Sequence, residues 1–434
     1  MPTLIELAGS DFDSPNGKAS LYTEPENIGE VPINLVDPEA QSIFDSESER
    51  VEEVVDATGA LIDASGDIQK MNPADTGASA YNALRAVTEK LMRTIDPQKA
   101  YFPVMEQYAG LANKRQVLQR SFEAMSDLII AGVRHIVEWI KKVGIWVRNL
   151  FQKARTSSEG IATRAKRIQD DAKDAIIKKL PKDAAVTSDT LLRYFSADGT
   201  AIKSDHIAVE YKRYTSEIGG TFGVDLVKRA GDQVLAVIPE VTKDTDKAAV
   251  LGKIDPIITD LRNQLLKHFK EGFGDQKSDA NNHIISYKLP FNNESLVCTI
   301  QIEDGKQTSM KMLGQDVKTK GQVKDKSLDV LSANEVGMLA KLVEEQATYG
   351  IYKQHDTIVG EVNKIENAIN KATNDLVKMI EAKPQEAKKD MYSLEFLRSI
   401  FTAMAKYVDL FYNYDVRAAG RILDYCEASL LKYE

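Results

Sequence analysis

The sequence predicts a mainly α protein with an inserted α+β module, in which helical-bundle regions flank a small antiparallel β-meander. Three observations predict it. Residues 129–150 and 397–411 repeat apolar side chains in alternating steps of four and three, the seam of a helix packed in a bundle. Between them, alternating apolar runs are separated by Pro290-Phe291-Asn292-Asn293 and by Asp304-Gly305, which read as hairpin turns. Hydrophobic residues make up 43% of the 434 and charged residues 28%, so most of the chain can bury a core, enough for two or three domains.

Residues 1–75 read as an acidic, largely disordered leader, with 17 acidic side chains against 3 basic ones and six prolines. Within it, Val51, Val54, Val55 and Leu61 keep helical spacing, enough for a short helix over 46–61. Residues 76–186 form an amphipathic helical region. A first helix of about 15 residues from Ala78 ends at Asp96-Pro97. A longer one carries the seam Ile129, Val133, Ile136, Ile140, Val143, Val147 and Leu150, with Pro181 as its stop.

Residues 187–330 form the α+β module. Helices over 188–195 and 254–269 precede strands at Ile284–Leu289, Ser295–Glu303 and Thr308–Leu313. Residues 331–434 return to helix. Ser332-Ala333-Asn334-Glu335 is a capping box, because Ser332 accepts a backbone N–H while Glu335 reaches back. Pro384 divides the region, and Leu397, Phe401, Met404, Val408 and Phe411 form its second seam.

Catalytic motifs are missing. Gly305-Lys306 has Ile300 where a phosphate loop needs its first glycine, and Gln307 where it needs Ser or Thr. There is no G-x-S-x-G elbow, H-E-x-x-H pair or EF-hand loop. The five histidines are scattered; only a tertiary gathering of Asp205, His206 and His283 would make a site, and surface roles are commoner. Cys298 and Cys426 sit in apolar runs as small hydrophobes, which fits a reducing compartment. The sequence therefore predicts no enzyme, no cofactor, no metal and no small-molecule substrate. A net charge of −9 disfavours specific nucleic-acid recognition. The start MPTLIELAGSDFD lacks the pattern of a signal peptide, and no uncharged run is long enough to span a membrane.

The most informative stretch is 128–153. Arg134, Lys141, Arg148 and Arg155 recur every seven residues, a basic stripe flanking an apolar face that includes Trp139 and Trp146. These six residues form a candidate interaction face. A helix of this kind packs in a bundle with its basic side chains snorkelling over the edge, or lies in a membrane interface. The bundle is the commoner destination. Charge along the chain is also polarised: 134–182 holds 13 basic against 5 acidic residues, and could attract the acidic leader within one molecule or between neighbours. The aromatics Tyr407, Phe411, Tyr412, Tyr414 and Tyr425 lie beside Asp409, Asp415 and Asp424, which favours core packing over base stacking.

The order of parts resembles virion structural proteins, especially internal head proteins, of large tailed bacteriophages of the myovirus or jumbo-phage type. The stretches that carry the resemblance are His135-Ile136-Val137-Glu138-Trp139-Ile140-Lys141-Lys142, Leu289-Pro290-Phe291-Asn292-Asn293-Glu294-Ser295-Leu296 and Ala428-Ser429-Leu430-Leu431-Lys432-Tyr433. The resemblance implies a non-enzymatic head component, made in the host bacterial cytoplasm, found in the virion, and partnered by other virion proteins or by itself. It also implies processing after Leu-x-Glu or Ile-x-Glu, and Leu4-Ile5-Glu6 and Ile28-Gly29-Glu30 place candidate processing sites at Glu6 and Glu30. Two other readings remain at this level: a membrane-associated amphipathic-helix protein acting through 128–153, and a self-associating coiled-coil adaptor.

Overall fold

The computed structural model describes residues 38–72, 74, 78–98, 111–197, 200–219, 221–241, 247–316, 323–382 and 388–433. The chain enters through α1 (Pro38–Lys70) and α2 (Ala78–Ile95), then runs along α3 (Leu111–Ala175), a single helix of 65 residues. The seam explains its length. Ile129, Val133, Ile136, Ile140, Val143, Val147 and Leu150 are all buried, so one stripe of α3 serves as the spine on which α1 and the C-terminal helices pack. The helix stops six residues before Pro181.

The module follows: β1 (Ala185–Val186), α4 (Asp189–Tyr194), β2 (Ser196–Ala197), β3 (Thr200–Ala201), α5 (Ser204–Tyr214), a π-helical turn over Thr215–Gly219, α6 (Thr221–Val241) and α7 (Lys247–Leu265). Ser188 caps α4 by accepting the N–H of Leu191. The main sheet contains β4 (Lys270–Glu271), β5 (Asn282–Lys288), β6 (Glu294–Glu303) and β7 (Lys306–Asp316), antiparallel in that order. Asp304 and Gly305 both have positive φ, 51° and 73°, as a two-residue hairpin between β6 and β7 requires. β8 (Leu328–Asp329) pairs with β1, so the module's two ends are tied to each other.

Last come α8 (Ala333–Glu345), a π-helical segment over Gln346–Ile351, α9 (Tyr352–Ala382) and α10 (Lys388–Leu430). The Ser332–Glu335 capping box forms in full. β7 is held to α10, since the Met310 N–H donates to Ser399 Oγ at 3.2 Å. It is held to α7 where the Gln307 N–H donates to Asp255 at 2.7 Å. One contiguous cluster of buried side chains runs from Phe44 on α1 through the sheet to Cys426 on α10.

Three expectations are corrected. The stretch read as a largely disordered leader contains α1 at 38–70, twice the expected short helix; Phe44, Val54, Val55, Leu61, Ile62 and Ile68 are buried at helical spacing, and that burial offsets the ordering cost that composition alone suggested. Two further helices, α5 and α6, stand between the expected helices over 188–195 and 254–269, where the sequence predicts none. The three-stranded meander has a fourth strand, β4, too short to show as a run.

A basic-edged helix face clamped by α1 and α9

The candidate face divides in two once α3 is folded. Its aromatic half is interior: Trp139 and Trp146 are 1% and 5% exposed. Phe44 of α1 lies between them, 4.9 Å from the Trp139 ring and stacked on Trp146 at 4.3 Å. Around this contact α1 runs antiparallel to α3. Glu47 accepts from Lys142 at 3.1 Å, and further along Thr58 meets Gly132. A Cβ at Gly132 would stand 2.1 Å from Thr58 Oγ1, so the missing side chain is what lets the two helices close.

The basic half is split again. Arg134 and Lys141 are exposed along the flank of α3. Arg148 instead pairs with Glu366 of α9 and donates to Asn363. Gly144 makes that approach possible, since a Cβ there would come within 2.5 Å of the Glu366 carboxyl. The side chain of Arg155 lies outside the described residues, as do Glu6 and Glu30. Membrane contact through the tryptophans would require α1 to leave, because Phe44 occupies the position lipid would take. Among the described residues no helix is long and apolar enough to cross a membrane.

The sequence reading missed two features of α3's surroundings. The first is a clamp on its C-terminal half. Arg164 donates to Asp424 at 2.8 Å and to Glu427 at 2.6 Å on α10, Arg167 joins Glu427 at 2.7 Å, and Gln169 donates to Glu344 of α8. Burial of Glu427 favours its neutral form, but hydrogen bonds and charge from Arg164 and Arg167 outweigh this and hold its carboxyl below the usual range. Likewise burial works against the Arg164 charge, and the two carboxylates more than restore it. The only sequence signal was opposite charge on two amphipathic helices, which does not specify a pair.

The second is a polar cleft of about 420 Å³ between α1, β7 and α10. Glu49, Glu52 and Asp56 face it from α1, Lys311 from β7, and Glu395, Arg398 and Lys406 from α10. Arg398 is 6% exposed, with Glu52 at 3.8 Å. Burial pushes the Glu395 carboxyl up; Arg398 opposes this, while Asp56, Glu303 and Glu52 add to it. Four carboxylates and three cations line this space, so it has no net preference for an anion. It is a polar seam along which α1 lies.

The aromatic stretch of α10 is core: Tyr407, Phe411, Tyr412, Tyr414 and Tyr425 are all buried. Tyr414 Oη accepts the Phe291 N–H at 2.8 Å, and Tyr214 donates to the Phe411 carbonyl at 3.2 Å. His206 is exposed on α5 and His283 lies on β5; among the described residues no group of three or more His, Cys, Asp or Glu side chains could hold a metal ion.

Comparison with known proteins gives one match. A family described as phiKZ-like phage internal head proteins matches residues 33–428, almost the whole of the described structure. No curated protein and no solved structure matches this chain.

Proposed function

The chain belongs to the phiKZ-like phage internal head proteins, and from that premise we propose that it is a non-enzymatic component of head assembly. An internal head protein has a structural role inside the virion. The finer reading is that the folded body is made in the host cytoplasm and packs in the head against other virion proteins or further copies of itself. The observation that carries it is the extent of the match, which takes in α1, the module and both helical regions together. The exposed flank of α3, with Arg134 and Lys141, supports a polar contact there, and Arg155 continues the same stripe in sequence. Glu6 and Glu30 are the proposed processing sites in the leader, where Leu4-Ile5-Glu6 and Ile28-Gly29-Glu30 stand.

Mass spectrometry of purified particles tests this. Peptides from the body should be present, with new N-termini at Leu7 or Val31. A particle without the protein sinks the assembly role, whereas intact peptides spanning both glutamates would remove only the processing step.

A further inference from the structure

The end of α3 carries a patch that nothing in the described structure covers. From Ile176 to Lys182 the chain reads Ile-Ile-Lys-Lys-Leu-Pro-Lys, and every one of these residues is exposed. Ile177 is 89% exposed and Ile176 60%. Scattered apolar residues on a surface need no explanation, but three large ones interleaved with three lysines form a surface suited to an acidic segment with apolar side chains.

The direction of α1 points to the occupant. Phe44 sits at the level of Trp146 and Thr58 at the level of Gly132, so α1 descends α3 as its own numbering rises. Its N-terminus therefore faces the C-terminal half of α3. Pro38 stands near the level of residue 151; from there to Ile176 is about 38 Å at the helical rise. An extended chain covers that in about 12 residues, so everything from Glu26 back to Met1 can reach the patch. Residues 1–37 hold seven carboxylates against the single Lys18, and carry Leu4, Ile5 and Leu7 within their first seven positions.

We infer that the leader docks in cis on the 176–182 surface through residues 1–26, with their carboxylates against Lys178, Lys179 and Lys182 and their aliphatic side chains over Ile176, Ile177 and Leu180. The inference goes beyond the assembly role and does not depend on it, because it concerns the free chain. Cleavage after Glu30 would separate the docked portion from the body and uncover the patch.

The test places a photo-crosslinking residue, p-benzoylphenylalanine, at Ile177 of the full chain and maps its cross-links by mass spectrometry in an equal mixture of unlabelled and ¹⁵N-labelled protein. Cross-links to peptides within 1–37, in unmixed isotope pairs, are expected. A triple variant, Lys178→Glu with Lys179→Glu and Lys182→Glu, changes only exposed side chains and should lower their yield about fivefold, as should molar salt. Unchanged tryptophan emission shows that the variant remains folded. Cross-links elsewhere, isotope-mixed pairs that place another copy's leader on the patch, or a yield unmoved by charge reversal would each overturn the inference.

Discussion

Asp415 shows how a single side chain can set a pH dependence for the whole fold. It is 3% exposed among the α10 tyrosines, and burial pushes its carboxyl up to about 7, against the opposing hydrogen bond from Tyr211. An acid whose pKa is higher folded than unfolded keeps its proton in the native state. Its burial therefore costs nothing below about pH 4, and the cost grows as pH rises to about 7, reaching about 4 kcal/mol at the upper bound. Between pH 5 and 8 the urea midpoint of the wild-type protein should fall; in Asp415→Asn that slope should flatten and the midpoint at pH 8 should rise. Equal slopes in both proteins would mean the carboxyl is not held protonated. Gly132 offers a steric counterpart. Gly132→Ala gains about 1 kcal/mol of helix propensity, but the new Cβ meets Thr58 Oγ1, and overpacking of this kind costs about 1–3 kcal/mol. Gly132→Ala should therefore destabilise, and adding Thr58→Ala should recover most of the loss. An additive double mutant would place the strain elsewhere.

At the scale of elements, what could be read in the sequence depended on whether a signal was local. The α3 and α10 seams were legible because their period is repeated for several turns, and the Asp304-Gly305 hairpin and the Ser332 capping box because each lies within a few residues. The docking of α1 was not. Its apolar spacing from Phe44 to Ile68 is diluted by the acids around it, and the surface that orders it lies on α3, 95 residues away for the Glu47–Lys142 pair. The candidate face met the same limit. Its charge spacing was visible, but Arg148 is taken by Glu366, 218 residues on, and the tryptophans by Phe44. This contact has a direct readout, since Trp139 and Trp146 are the chain's two tryptophans. Phe44→Ala removes the ring between them at a cost of about 3–5 kcal/mol, concentrated in the first turns of α1. Tryptophan emission should shift to the red while far-UV circular dichroism changes little. An unmoved emission maximum would show that α1 does not seal this face.

For the whole molecule, the question is whether the regions distinguished by composition unfold apart. Proteins of this length commonly divide into domains, each with its own core. Here the buried cluster is continuous from α1 to α10. The module is fastened at several places distant in sequence. β1 pairs with β8 across its ends, the Phe291 N–H is bound by Tyr414, Arg417 joins Glu294 at 2.7 Å, and Met310 meets Ser399. The C-terminal helices are in turn clamped to α3 through Arg164. Losing the sheet would strip α10 of one side of its packing, and losing α10 would uncover the buried face of α3 and remove both carboxylates that pair with Arg164. Each region thus presents surface that only the others satisfy, so we expect one cooperative transition. Urea unfolding followed by tryptophan emission, which reports α1 on α3, should coincide with far-UV circular dichroism and with near-UV tyrosine signals from α10. A tyrosine transition preceding the tryptophan one would show that the module and α10 melt from a surviving α1–α3 pair, and would restore the division into separate domains. Such cooperativity suits a chain that belongs inside a phage head, because a body that opens only as a whole exposes no partly folded surface while it is being packed.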